Sequence, residues 1–223
     1  MPKGPGKTRR SAEDEMLLRT QRGVWEGDRD LWKREHPLTA DLATHLMLQP
    51  VIDDRLPTAL CDGRHIFFNV RTSARLDGIR RHHLQAHLVW HCALGHLRPS
   101  PLPDLRRWHL ACDQEVNALL LLLGFRLPDD AVLFPACIGR SLEQIYAWLD
   151  GHPDPNLESY PDLAGTALAD PVPDGSRDPR LDPRAPDPGL LLAWEQRLKH
   201  CLRRHAGSPQ LAGPVAALLA SRS

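Results

Sequence analysis

Two histidines one helical turn apart are the clearest chemical feature of this 223-residue sequence. His87 and His91 lie four positions apart in Ile79–Leu94, a segment with helical apolar spacing that Gly95 can terminate. On a helix, both imidazoles project from one face, which is the geometry in which two histidines bind one zinc ion. Because the chain has 12 histidines, such spacing also arises by chance, and hydrogen-bonded core imidazoles are the alternative interpretation.

Two residues are candidates for a third ligand. Asp113 lies in the next predicted helix, Trp108–Leu123, where an inward carboxylate among apolar residues needs a compensating positive charge. His96 follows Gly95, and a chain reversal at this glycine could return the imidazole toward the metal. We take Asp113 as the first choice and His96 as the second, with Asn117 as a candidate to orient the ligands by hydrogen bonding.

Other helices are predicted around this pair. The segment from Glu13 to about Leu48 has helical spacing, which Pro37 divides into two helices and Pro50 ends. A short helix is predicted for Ser141–Leu149, and another for Leu190–His205. We expect this set of helices to form the bulk of the folded domain.

The clearest strand signal is a β-hairpin. Two apolar-rich runs, Thr58–Cys61 and Arg64–Asn69, flank the dipeptide Asp62-Gly63, which suits a two-residue turn. Together with the helices, this predicts a mainly helical α+β domain with a small sheet. Arg64–Asn69 could bind an extended peptide as an added strand, or the hairpin could simply close the core.

The composition indicates a soluble globular protein. Hydrophobic residues make up 42% of the chain and charged residues 25%, and no apolar run reaches the roughly 18 residues of a membrane span. Because 28 basic residues balance 28 acidic ones, we do not expect nucleic-acid binding, and the local basic runs 71–83 and 199–205 are typical of solvated faces. Without a recognisable secretory signal or a C-x-x-C pair, the sequence favours the cytoplasm.

Composition shifts divide the chain into four parts. We predict a flexible basic tail at 1–12 and a folded domain at 13–150. A segment rich in proline and aspartate at 151–189 is predicted to be a linker, and a C-terminal helical segment follows at 190–223.

The segment His87–Leu97 resembles the zinc helix of a bacterial family of putative zinc metallopeptidases encoded beside MoxR-type AAA+ ATPases and von Willebrand factor A proteins. The similarity runs from about His36 to Leu149 and includes the hairpin at 57–69 and the Trp108–Asn117 segment. A weaker similarity extends over 194–209. The resemblance implies a zincin-like fold, a bound Zn²⁺ ion and a peptide or protein substrate. It also implies partnership with the ATPase and the von Willebrand A protein.

One position departs from that family. A glutamate follows the first histidine there and serves as the general base, whereas this chain has Leu88, which cannot accept a proton. Loss of such a base costs about 10²–10⁴-fold in rate. Glu115 is the residue that comes closest to replacing the missing glutamate. However, it lies about 200° around its helix from Asp113 and is expected to point away from the metal.

We therefore expect a pseudo-peptidase that binds zinc and is impaired or inactive. Three alternatives stay open. Leu88 could be a deliberate inactivating substitution, or a distant loop or a partner could supply the missing carboxylate. The chain could also be an adaptor that binds peptides or partners without a metal.

Overall fold

A computed structural model describes residues 11–152, 178–182 and 187–220. Most of the predicted tail and much of the predicted linker therefore lie outside the described residues. The helices are α1 (Ala12–Glu35), α2 (Pro37–Ala43), α3 (Val70–Ser73), α4 (Gly78–Leu94), α5 (Leu105–Leu122), α6 (Leu142–Asp150), α7 (Pro188–Arg204) and α8 (Pro214–Ala220). The strands are β1 (Met47–Val51), β2 (Ala59–Cys61) and β3 (His65–Asn69). The described part is thus mainly helical with a small three-stranded sheet, as the sequence predicted.

The second predicted helix ends earlier than expected. α2 stops at Ala43, and Met47–Val51 forms strand β1, which pairs in parallel with β3. The sequence prediction of helix to Leu48 was wrong because this pairing involves residues about 18 positions away and leaves no local signal. Pro50 lies inside β1 and is tolerated there because β1 is an edge strand, where a missing N–H need not break a ladder.

The hairpin forms as predicted, with a small shift in its turn. Ala59 pairs with Phe68 in the antiparallel β2–β3 ladder. Asp62 N donates to His65 O at 3.2 Å, so the two central turn residues are Gly63 and Arg64 rather than Asp62 and Gly63. Gly63 has a φ angle of +82°, a conformation that other residues adopt only with strain.

Strand β3 is the central strand of the sheet, in the order β1-β3-β2. Both of its edges are therefore occupied by neighbouring strands. The expectation that Arg64–Asn69 could bind a peptide as an added strand was wrong, because the spatial order of strands puts β1 and β2 at the edges instead.

Helix α4 runs through the centre of the domain. Its second half, Gln85–Leu94, is buried on every side, packed against α2, α5, α7 and β2. Four fully buried tryptophans belong to this core, and each indole N–H has a hydrogen-bond partner, as burial requires. The acceptors are Ser73 Oγ for Trp25, His82 Nδ1 for Trp32, Thr39 Oγ1 for Trp90 and the Gly63 carbonyl for Trp194.

Two later segments pack onto this domain. Helix α7 lies against α4 and α2, and its Trp194 donates to the turn of the hairpin at 2.8 Å. Within the predicted linker, residues 178–182 contact the sheet, where Leu181 is buried beside Phe67 and Asp178 is 5% exposed. The proline-rich composition did not indicate this contact. Among the described helices, none combines the length and the apolar character that crossing a bilayer demands.

Candidate metal centre

Three potential ligands meet between α4 and α5. His87 and His91 lie one turn apart on α4, and their Nε2 atoms are 2.8 Å from each other. Asp113 on α5 places Oδ1 3.5 Å from His87 Nε2 and 3.3 Å from His91 Nε2. Ligand atoms around a tetrahedral zinc are roughly 3.3 Å apart, so the spacing suits one ion. All three side chains are buried.

The amide of Asn117 orients His87. Its Nδ2 donates to the carbonyl of Val132 at 2.9 Å, which fixes which end of the amide faces the histidines. Its Oδ1 then accepts from His87 Nδ1 and from His83 Nε2, each at 2.9 Å. With the proton on Nδ1, the lone pair of His87 Nε2 points into the cluster.

His96 lies behind His91 rather than beside the cluster. Gly95 takes a left-handed conformation, and the chain turns so that His96 Nδ1 is 3.0 Å from His91 Nδ1. On its other side, His96 Nε2 donates to Glu115 Oε2 at 2.9 Å. This bond leaves His96 Nδ1 as an acceptor for His91 Nδ1–H, so the lone pair of His91 Nε2 also faces the cluster. The structure therefore groups His87 and His91 with Asp113 and not with His96.

Three electron-pair donors consequently converge on one point. Burial alone would raise the pKa of Asp113, but the two imidazoles beside it hold the pKa well below its usual range. The carboxylate is thus ionised, and two imidazole lone pairs face it. Such an arrangement is stabilised by a cation, and two nitrogens with one carboxylate oxygen are a common donor set for zinc.

Leu88 points away from this centre. It is fully buried in the main apolar core and is not among the residues that line the cavity beside the metal ligands. The position at which the resemblance implies a general base is therefore occupied by a core side chain. Glu115, the other carboxylate considered, faces His96 and not the three-ligand cluster.

A small cavity adjoins the cluster. Its volume is about 110 Å³, below the roughly 300–1,000 Å³ of sites that enclose drug-sized ligands. Burial lowers the pKa of His83 to about 4, so this ring is neutral at pH 7. The polar residues lining the cavity are Thr58, Arg80, His83, His87, Asp113, Asn117 and Asp130.

Acidic side chains neutralise part of the basic run 71–83, whose last residues lie in the first turns of α4. Arg80 Nη1 is 2.8 Å from Asp130, and Arg81 Nε is 2.6 Å from Asp28. A phosphate backbone would have to compete with these carboxylates. The pairing favours the interpretation of the run as an ordinary charged face.

The sequence alone did not predict the contact between His96 and Glu115. Residue spacing on α5 correctly put Glu115 away from Asp113, but the position of His96 depends on how the chain leaves Gly95. His83 shares the Asn117 oxygen with His87, and this contact between α4 and α5 was also not predicted from the sequence.

Residues 29–178, about two thirds of the chain, match the sequence model of a family described as putative metallopeptidase domain. No curated protein and no solved structure matched the chain.

Proposed function

We propose that this chain, which belongs to the putative metallopeptidase domain family, binds zinc through His87, His91 and Asp113 and hydrolyses peptides weakly or not at all. The observation that carries the proposal is the convergence of two imidazole lone pairs and an ionised carboxylate at one buried point. Asn117 and His96 support it, because each holds one ligating ring in the required tautomer.

When bound, zinc supplies Lewis acidity toward a carbonyl group or a water molecule. The chain's own contribution is to hold the donors in place and to keep the Asp113 carboxylate ionised in an apolar setting. A hydrolase also needs a group that takes a proton from water and returns it to the leaving amine. Leu88 can do neither, which supports an impaired enzyme or a pseudo-peptidase.

The direct test is the zinc content of the purified protein. We expect the His87→Ala variant to hold one zinc per chain fewer than the parent, because one lost imidazole leaves an incomplete ligand set. His109→Ala is the matched control, since His109 lies on α5 outside the cluster and should leave the zinc content unchanged. A parent that stays metal-free after incubation with zinc, or a His87→Ala variant with full zinc content, would overturn the proposal.

A second candidate function is an active peptidase with a base from another element. Asp130 favours it, because this carboxylate lines the same cavity as Asp113. Its hydrogen bond to Arg80 outweighs burial and lowers the pKa of Asp130, which makes it a weak base. Metal-dependent peptide hydrolysis that disappears in Asp130→Asn, with zinc retained, would favour this function over the pseudo-peptidase.

The proposed partners follow from the resemblance of residues 36–149 to the family described above. We propose that the protein works with a MoxR-type AAA+ ATPase and a von Willebrand A-type protein. Copurification of both from a native host would support this assignment, and the His87→Ala variant would then tell whether the association needs the metal. Failure to capture either protein with the parent chain would contradict it.

A further inference from the structure

A second group of potential metal ligands lies at the contact between α2 and α7. Asp41 comes from α2, and Cys201 and His205 are one helical turn apart at the C-terminal end of α7. Their ligand atoms all lie within 4.8 Å of one another. The three side chains offer one carboxylate oxygen, one sulfur and one imidazole nitrogen, which are the donor types that zinc takes in proteins.

Two of these atoms lack a hydrogen-bond partner although both are buried. His205 Nε2 and Asp41 Oδ2 are 3.4 Å apart, close to the spacing of neighbouring zinc ligands, but they are not aligned as donor and acceptor. Buried polar atoms are normally paired, because an unmet hydrogen bond costs about 1–3 kcal/mol. Both residues place a ligand atom within 4.8 Å of the Cys201 sulfur, so one ion can satisfy them together.

We propose that Asp41, Cys201 and His205 form a second zinc site, separate from the centre between α4 and α5. Closing the three side chains onto one ion requires movements of roughly an ångström, since zinc ligands lie about 2.0–2.3 Å from the metal. The side chains of Asp41 and His205 are 17% and 16% exposed, which leaves a solvent-facing fourth position.

A bound cation would change the protonation of Cys201. Burial, followed by the nearby Asp41 carboxylate, raises the pKa of the Cys201 thiol to about 12. A bound cation reverses this preference, because coordination converts the thiol to a thiolate and releases its proton to solvent. Arg204 Nη1 binds Asp41 Oδ1 at 2.7 Å and so orients the carboxylate with Oδ2 toward the other two ligands.

The position of the group indicates a structural role. Asp41 and Arg204 are 163 positions apart, so a metal here would join the N-terminal part of the domain to its last long helix. A crosslink over so many residues restricts the unfolded chain and favours the docked position of α7.

Cobalt(II) titration tests this proposal, because a cobalt–thiolate bond gives a near-ultraviolet charge-transfer band that a His/His/Asp site cannot give. We would use the full chain carrying His87→Ala and His91→Ala, so that the first centre is disabled. The expected result is one bound cobalt with the sulfur band. The band should disappear in Cys201→Ser. In His205→Gln, the affinity for cobalt should fall at least tenfold.

Cys61→Ser is the matched control, because Cys61 is also buried and its sulfur lies 3.2 Å from that of Cys92. It should leave the band unchanged. The proposal is overturned if no sulfur band forms, or if the band survives Cys201→Ser, or if Cys61→Ser removes it. Should Cys201→Ser fail to fold, the partly exposed His205→Gln and Asp41→Asn variants decide instead, and unchanged cobalt affinity in both would overturn the assignment.

Discussion

His91 and His96 face each other through their Nδ1 atoms, which are 3.0 Å apart. On its other side, His96 donates a hydrogen bond to the carboxylate of Glu115. This buried chain fixes the tautomer of His91, so that its Nε2 presents a lone pair to His87 and Asp113. On its far side, His96 and Glu115 line a separate cavity of about 770 Å³. The candidate metal centre therefore extends through three residues to a second surface of the domain.

The first prediction concerns the hydrogen-bonded series His91–His96–Glu115. Replacing His96 with alanine leaves His91 Nδ1–H without its acceptor, and the ring loses its fixed orientation. We expect zinc affinity to fall about 10–100-fold, the usual effect of losing a hydrogen-bond partner of a ligand. Competition with a chelator of known affinity would measure this fall.

Glu115→Gln should have a smaller effect in the same direction, because the amide oxygen can still accept from His96 but carries no charge. His109→Gln is the matched control on the same helix and should not change the affinity. If His96→Ala bound zinc as tightly as the parent, His96 would have no role in orienting the ligand.

The second prediction concerns the missing base. In Leu88→Glu, we expect metal-dependent peptide hydrolysis to rise by about 10²-fold or more, since the cost of burying a carboxylate turns the side chain out of the apolar core toward the adjacent metal centre, where it supplies the proton transfer that Leu88 cannot. Leu88 is fully buried, so the substitution should also lower the free energy of unfolding by several kcal/mol. Activity and thermal unfolding of the zinc-loaded variant would be measured together.

Leu88→Gln separates the two effects, because glutamine has the same size and also places a polar group in the core but has no basic carboxylate. It should be destabilised in the same way and remain inert. A folded, zinc-loaded Leu88→Glu protein without activity would indicate that this scaffold lost more than its base.

Local signals accounted for much of this fold. Helical spacing and the glycine after it predicted a helix at Ile79–Leu94, close to the observed α4 at Gly78–Leu94. The Asp62-Gly63 dipeptide predicted the hairpin, although the central turn residues are Gly63 and Arg64. Strand β1 was missed because its pairing with β3 is set by distant residues. Local sequence carries turn chemistry and periodicity, but the order of strands in a sheet depends on packing.

The same distinction applies to the candidate sites. The spacing of His87 and His91 follows from the pitch of a single helix, so it was visible in the sequence. The direction taken by His96 after Gly95 and the meeting of Asp41 with Cys201 depend on how separate elements pack. Such contacts leave no pattern along the chain.

The third prediction concerns acid stability. Asp53 is buried and binds the guanidinium of Arg55, whose Nη2 is 2.7 Å away, and it also accepts from the backbone N–H of Asp178. Burial would raise the pKa of Asp53, but these hydrogen bonds and the charge of Arg55 lower it from 3.8. Because the folded pKa is the lower one, this contribution to stability is complete above about pH 4 and is lost as the pH falls further.

Asp53→Asn should therefore lower the free energy of unfolding by about 3–5 kcal/mol at neutral pH and flatten its decline in acid. Urea unfolding at a series of pH values would measure both changes. Asp54→Asn is the neighbouring control, since Asp54 is 40% exposed and its pair with Arg71 should contribute under about 1 kcal/mol. Equal effects of the two substitutions would contradict the role of Asp53.

The last prediction concerns the hairpin turn under α7. Gly63 has a φ angle of +82°, and an added Cβ would lie 2.6 Å from Leu97 Cδ1 and 2.8 Å from Leu190 Cδ2. Gly63→Ala should lower the free energy of unfolding by about 2 kcal/mol, because both the conformation and the contacts become strained. Gly27→Ala is the control, since this glycine lies in α1 with open space around it and alanine should stabilise the helix by about 0.5–1 kcal/mol. Urea denaturation of both variants distinguishes the two signs, and a neutral Gly63→Ala would show that α7 does not pack closely on the turn.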